Sequence, residues 1–216
     1  MLAQGKSQME QWMDTYVVLK QAIQKEREIN PAFAREFDEI DEDLDDSCEV
    51  TGWLEDFFEE LEVRELWDEV IRAVDEIIPL FDWKEISADE FRIKRTMALN
   101  GQKKFEESVT YCKEWYQETE CENAAAMMVY SLIGAKDYSA AESLVEQYIS
   151  DETECTDENE ILFRAAQVLY QKQKKKSKEK KIAKQLDAYE KRLEELFDCF
   201  GDDMDLDDWE EELPFS

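Results

Sequence analysis

Residues 101–116 read GQKKFEESVTYCKEWY, and residues 134–149 read GAKDYSAAESLVEQYI. Laid over one another at an offset of 33, the two stretches need no gap. Gly101 meets Gly134, Phe105 meets Tyr138, Ser108 meets Ala141, Cys112 meets Val145 and Trp115 meets Tyr148. The matched positions fall three or four apart, the spacing of one face of an α-helix. Glycine, aromatic, small and apolar residues kept in step over 16 positions mark two copies of one supersecondary unit. An earlier copy fits at residues 63–78, where Trp67, Val70, Val74 and Ile77 take the corresponding places at an offset of 38. That longer offset predicts a longer loop at residues 79–82.

Working outward, each copy is preceded by another apolar helical stretch, at residues 53–61, 91–99 and 124–133. A last pair occupies residues 161–170 and 182–200. Upstream, Met9, Trp12, Met13, Tyr16, Leu19 and Ile23 mark one face of a first helix that ends at Pro31. Phe33, Phe37, Ile40 and Leu44 predict a second helix running into an acidic loop. Ser7 with Glu10, Ser87 with Glu90 and Ser139 with Glu142 spell capping boxes, in which hydroxyl and carboxylate satisfy free N–H groups. The five glycines and three prolines stand between these segments, as punctuation between helices does, and leave little material for the turns of a β-sandwich.

A helix pair of this size cannot bury its apolar face alone, so neighbouring pairs must stack. The expected fold is all-α: a right-handed α-solenoid of stacked antiparallel helix pairs over residues 51–200. It is preceded by an N-terminal helical cap and acidic loop over 1–50, and followed by an acidic aromatic tail over 201–216. The stretch Asp137-Tyr138-Ser139-Ala140-Ala141 resembles the G-x-Y-x-x-A junction of the tetratricopeptide repeat family, with Tyr138 as junction aromatic and Ala141 as the small residue. Phe105 with Ser108 and Trp67 with Val70 match it more loosely. The resemblance implies a groove that binds proteins or peptides, lined by the first helix of each pair. On that basis Arg92, Arg95 and Asn100 are the residues expected to clamp a peptide carboxylate.

Composition narrows the function classes. Apolar residues make up 43% of the chain, enough for a packed core despite 38% charge. A net charge of −30 repels phosphates and anionic lipid, so direct nucleic-acid and membrane binding are not expected. No apolar run approaches the ~18 residues of a membrane span. The opening MLAQGKSQMEQW lacks the apolar centre of a secretory signal, and the five cysteines form no C-x-x-C pair. These features predict a reducing, cytoplasmic setting.

No histidine is present, which removes the commonest general base and metal ligand. Phosphate-binding and dinucleotide-binding glycine loops are also missing from the sequence. Acids fill 56 of 216 positions, so a three-acid motif such as Asp45, Asp46 and Glu49 recurs about four times by chance. Asp41, Asp43 and Asp45 imitate the start of a calcium loop, but Asp46 stands where glycine is needed and Gly52 where glutamate is needed. No catalytic residue, metal or cofactor is therefore expected. Cys112 lies on an apolar face, and Cys48, Cys121 and Cys155 sit among acids that disfavour a thiolate.

Charge is distributed in blocks. Residues 38–46 carry seven acids in nine positions, and residues 198–216 carry nine acids without a base. Between them, residues 172–184 hold eight lysines against Glu179 alone, among them Lys174, Lys175, Lys176, Lys178, Lys180 and Lys181. The tail interleaves its acids with apolar residues, including Trp209, Leu213 and Phe215, a pattern suited to docking on a basic groove. It could fold back near the lysine block of its own chain. The leading expectation is a non-catalytic adaptor that binds a protein or peptide. The alternatives are an acidic mimic of nucleic acid that blocks a basic DNA- or RNA-binding protein, and a metal-dependent all-helical hydrolase.

Overall fold

The computed structural model describes residues 7–43 and 49–201, with their side chains as far as residue 196. Among the described residues the chain is all-helical and has no strand. None of these helices is long and apolar enough to cross a membrane. In order they are α1 (Gln8–Ile29), α2 (Glu39–Asp43), α3 (Val50–Val63), α4 (Trp67–Ile77), α5 (Asp89–Gly101), α6 (Phe105–Thr119), α7 (Glu122–Gly134), α8 (Tyr138–Tyr148), α9 (Glu160–Lys172) and α10 (Lys176–Gly201). A 3₁₀ turn, Ile78–Leu80, carries Pro79 directly after α4. The chain divides into two compact units, Met1–Tyr111 and Cys112–Ser216, with the division falling inside the sequence of α6.

Four turns share one hydrogen-bond pattern. After α3, α5, α7 and α9, a C-cap residue is followed by one in the left-handed region: Glu65 (φ 54°), Lys103 (62°), Lys136 (64°) and Lys174 (59°). The next N–H donates to the carbonyl five residues back. Leu66 bonds Leu61, Lys104 bonds Leu99, Asp137 bonds Leu132 and Lys175 bonds Tyr170, each at 2.9 Å. This is the Schellman motif, whose left-handed position usually holds glycine. Here lysine or glutamate occupies it, while Gly101 and Gly134 end the preceding helices. Gly52 lies inside α3, so it is not punctuation as the sequence suggested.

The helix starts are capped unevenly. The capping box at α1 forms: Ser7 Oγ accepts from Glu10 N (3.3 Å) and Glu10 Oε2 accepts from Ser7 N (2.7 Å). The two other predicted boxes do not. At α5 the N-cap is Ala88, which has no side-chain acceptor, while Ser87 Oγ accepts from Asp89 N at 3.1 Å. At α8 the Schellman turn fixes Tyr138 as the first helical residue. Asp137 therefore becomes the cap, accepting from Ala140 N at 3.0 Å, and Glu142 is left for other partners.

In the first unit, Tyr16, Ile23, Phe57, Phe58, Leu61, Val70, Val74 and Ile77 close one core. Aromatic rings dominate it. Tyr16 stacks on Phe57 at 4.8 Å between centroids, Trp12 on Trp53 at 5.2 Å, and Phe37 meets Phe81, Trp83 and Phe91. The Tyr16 hydroxyl donates to the Ala73 carbonyl at 3.0 Å, which satisfies the polar end of a buried ring. The second helix expected from Phe33 to Leu44 is only the short α2. Arg27 explains the difference: its guanidinium donates to the carbonyls of Phe33, Ala34 and Leu80, removing two of those oxygens from any helical ladder. Asp43 accepts from Ala34 N at 2.6 Å, and Asp41 accepts from Val50 N at 2.6 Å and from Thr51. Part of the acidic run thus holds a loop and the start of α3. Residues 44–48 lie outside the described residues.

In the second unit, α7 packs on α8 and α9, and α9 packs on α10. Ala126, Val129, Ala141, Val145, Leu162, Phe163, Ala166, Leu169, Ile182 and Leu186 form the core. The alanines at 126, 141, 165 and 166 are fully buried, and their small side chains let the helix axes approach closely. The far half of α10 is tied to the loop before α9, where Tyr189 donates to Asp157 and Arg192 donates to the Cys155 carbonyl, both at 2.5 Å.

Candidate functional site

The groove that could receive a ligand lies between α8, α9 and α10, within the second unit. It encloses about 550 Å³, within the range of pockets that hold a ligand. Its floor is Phe163 and Tyr170 from α9 and Ile182 from α10, all buried. One wall is Ile149 with the turn at Ser150 and Thr153, and the rim carries Lys178, Lys181 and Lys184 opposite Glu146 and Asp151. An apolar floor with charged groups at the edge suits an extended or helical segment bearing an apolar anchor.

Geometry places the lysines on this rim. Residues 178, 181, 182 and 185 recur at three and four, so they share a face of α10 while Ile182 turns inward. Glu142 holds the N-terminal end of α10 against α8. Its carboxylate accepts from Lys175, from Lys178 (2.7 Å) and from Gln173 (3.1 Å), and these bonds, Lys175 first, pull its pKa down to about 2. Lys178 also bonds Glu146 at 2.6 Å and lies 5.3 Å from the Tyr170 ring centroid. Its ammonium pKa is raised, chiefly by the two carboxylates. Lys181 pairs with Asp151 at 2.9 Å, but both side chains are largely in water, at 65% and 84% exposure. Such a pair is worth only about 0–1 kcal/mol and exchanges readily.

The lysine block therefore divides by pairing. Lys175 and Lys178 are structural, locked to α8. Lys174, Lys176, Lys180 and Lys184 are exposed and form no ion pair among the described residues. Lys181 lies between the two groups. The sequence marked the block without its apolar half, because Phe163, Tyr170 and Ile182 come from three separate turns. The spacing of Ile182 with Lys178, Lys181 and Gln185 was the available signal.

The other expected contact residues lie in the first unit. Arg95 donates to Asp75 at 2.7 Å and stacks 4.2 Å from the Tyr111 ring centroid, so its charge is already matched within that unit. Arg92 is half-buried and engaged. Asn100 is half-buried, and its Oδ1 finds no hydrogen-bond donor. A cleft of about 580 Å³ beside Trp67 and Lys104 is rimmed by Glu65, Asp68 and Glu69, and none of the three predicted residues lines it. The tail residues Trp209, Leu213 and Phe215 lie outside the described residues.

Of the cysteines, Cys112 and Cys155 are buried and Cys121 is half-buried, and none of the three is in a disulfide. Burial first, and Glu160 second, push the Cys155 thiol up to about 11, so it is protonated at neutral pH. Among the described residues no cluster of three or more Cys, Asp or Glu is placed to hold a metal ion. Comparison with protein-family models, with curated proteins and with solved structures finds no match to this chain.

Proposed function

We propose that this chain is a non-catalytic adaptor that binds a segment of another protein in the groove between α8, α9 and α10. The carrying observation is the groove itself, an apolar floor of Phe163, Tyr170 and Ile182 beneath exposed lysines. The ligand this chemistry recognises is a peptide with an aromatic or aliphatic anchor flanked by acids. The anchor displaces water from the floor, and Lys181 and Lys184 set its direction and on-rate.

The chain's helix pairs are read as antiparallel units of a right-handed, tetratricopeptide-like solenoid. The four Schellman turns, alike in hydrogen bonding and set at spacings of 38, 33 and 38 residues, support that reading. Buried cysteines outside any disulfide fit a reducing cytoplasm. Mimicry of nucleic acid fits less well, because a mimic has no use for the exposed cations of α10.

The test is selection of displayed peptides on the chain truncated after Gly201, with the K181E/K184E variant run in parallel. Both lysines are exposed, so their reversal leaves the core intact. The expected result is enrichment of acidic peptides with one or two large apolar residues, bound about tenfold more weakly by the variant, or ~1.4 kcal/mol. Enrichment of basic peptides, or binding indifferent to the two reversals, rejects the groove as the site.

A further inference from the structure

Resting on that binding role, we propose that the groove's resident occupant is the chain's own tail, with Trp209 to Leu213 lying over Phe163, Tyr170 and Ile182 and so competing with partners. The tail has the composition the groove selects. Residues 202–216 carry eight acids, no base, and the apolar residues Met204, Leu206, Trp209, Leu213 and Phe215.

Reach limits which part of the tail can meet the groove. Measured back along α10 from Gly201, Ile182 is 19 residues away and Lys178 is 23. At 1.5 Å per residue these distances are about 28 Å and about 34 Å. A chain leaving Gly201 and running back extended covers about 3.3 Å per residue, placing Trp209 at up to ~26 Å and Leu213 at up to ~40 Å. Even at full extension Met204 and Leu206 fall short of the groove, so Trp209–Leu213 is the segment with the reach to cover it. The acids at 210, 211 and 212 come level with Lys181 and the turn of α10 before it.

Electrostatics favours the exchange. Glu146 and Asp151 share the rim with the lysines, but Asp151 is 84% exposed and its bridge to Lys181 is a surface pair. Lys184 has no acid partner among the described residues. A tethered acidic segment arrives at an effective concentration of about millimolar, so even a weak contact is populated. The consequence is regulation: a partner must outcompete the tail, and removal of the tail raises apparent affinity for it.

The experiment uses the full chain with a photo-activatable benzophenone amino acid in place of Trp209, cross-linked and mapped by mass spectrometry. The expected result is an intramolecular cross-link to residues 163–185, with a yield independent of protein concentration and several-fold lower in K181E/K184E or at high salt. Cross-links elsewhere, scattered cross-links, or a yield unmoved by charge reversal overturn the proposal. Its failure is separable from that of the adaptor. Peptide capture in the groove by the truncated chain, with Trp209 cross-linking elsewhere, rejects the tail and keeps the adaptor. A groove cross-link with no peptide captured by the truncated chain keeps the tail and rejects the adaptor.

Discussion

A Cβ added at Gly101 would stand 2.7 Å from Trp67 Cε2, and one added at Gly52 would meet nothing within 4 Å. Neither glycine has a positive φ, so backbone strain does not enter at either position. Both lie in helices, where alanine is ordinarily favoured by about 0.5–1 kcal/mol. Gly52→Ala should therefore stabilise the protein by about that amount. Gly101→Ala should lose about 1–2 kcal/mol, because pushing the Trp67 indole aside costs more than the propensity gain. Urea denaturation midpoints of the two variants check both signs. The sequence matched Gly101 with Gly134 as punctuation between helices, and each is the last residue of its helix, one position before the C-cap. The left-handed position belongs to Glu65, Lys103, Lys136 and Lys174, which pattern alone does not flag because their long side chains are atypical there. Arg27 was equally hidden: it takes the Phe33 and Ala34 carbonyls from a helical ladder while also bonding the Leu80 carbonyl, a convergence only the fold creates.

Helix α10 is held to α8 by a carboxylate that could have capped its own helix. Glu142 was assigned to a capping box with Ser139, but Asp137 caps α8 and Glu142 bonds Lys175, Lys178 and Gln173 across to α10. A carboxylate whose pKa is depressed in the folded chain stabilises above its unfolded value, and that stability is lost as pH falls through the folded value. With a folded pKa of about 2 against 4.5, the contribution is complete above about pH 5 and gone near pH 2. Wild type should therefore unfold at a higher temperature than E142Q at pH 7, with the gap closing between pH 5 and pH 2. Comparing the two chains at each pH cancels the titration of the other acids. At this scale the sequence was informative. The 33-residue and 38-residue offsets locate α4 to α8 to within a few residues, since apolar spacing of three and four is what a helix buries. The lysine block was visible, but its pairing with α8 was not, because the acids concerned lie about 30 residues upstream.

Across the whole molecule the net charge of −30 opposes compaction. Raising ionic strength from about 10 mM to about 150 mM shortens the screening length from ~30 Å to ~8 Å. Thermal unfolding midpoints should rise over that range, and a fall would mean that surface ion pairs outweigh self-repulsion. The aromatic floor and lysine rim of the α8–α10 groove are where this acidic chain offers a local exception. Amide hydrogen exchange on the truncated chain, with and without a selected acidic aromatic peptide, tests the groove most directly. Protection on peptide binding should rise in residues 161–170 and 178–186 and in the turn after α8, and K181E/K184E should need about tenfold more peptide for the same effect. Binding that leaves those segments unchanged, or that protects α4 and α5 instead, would contradict it.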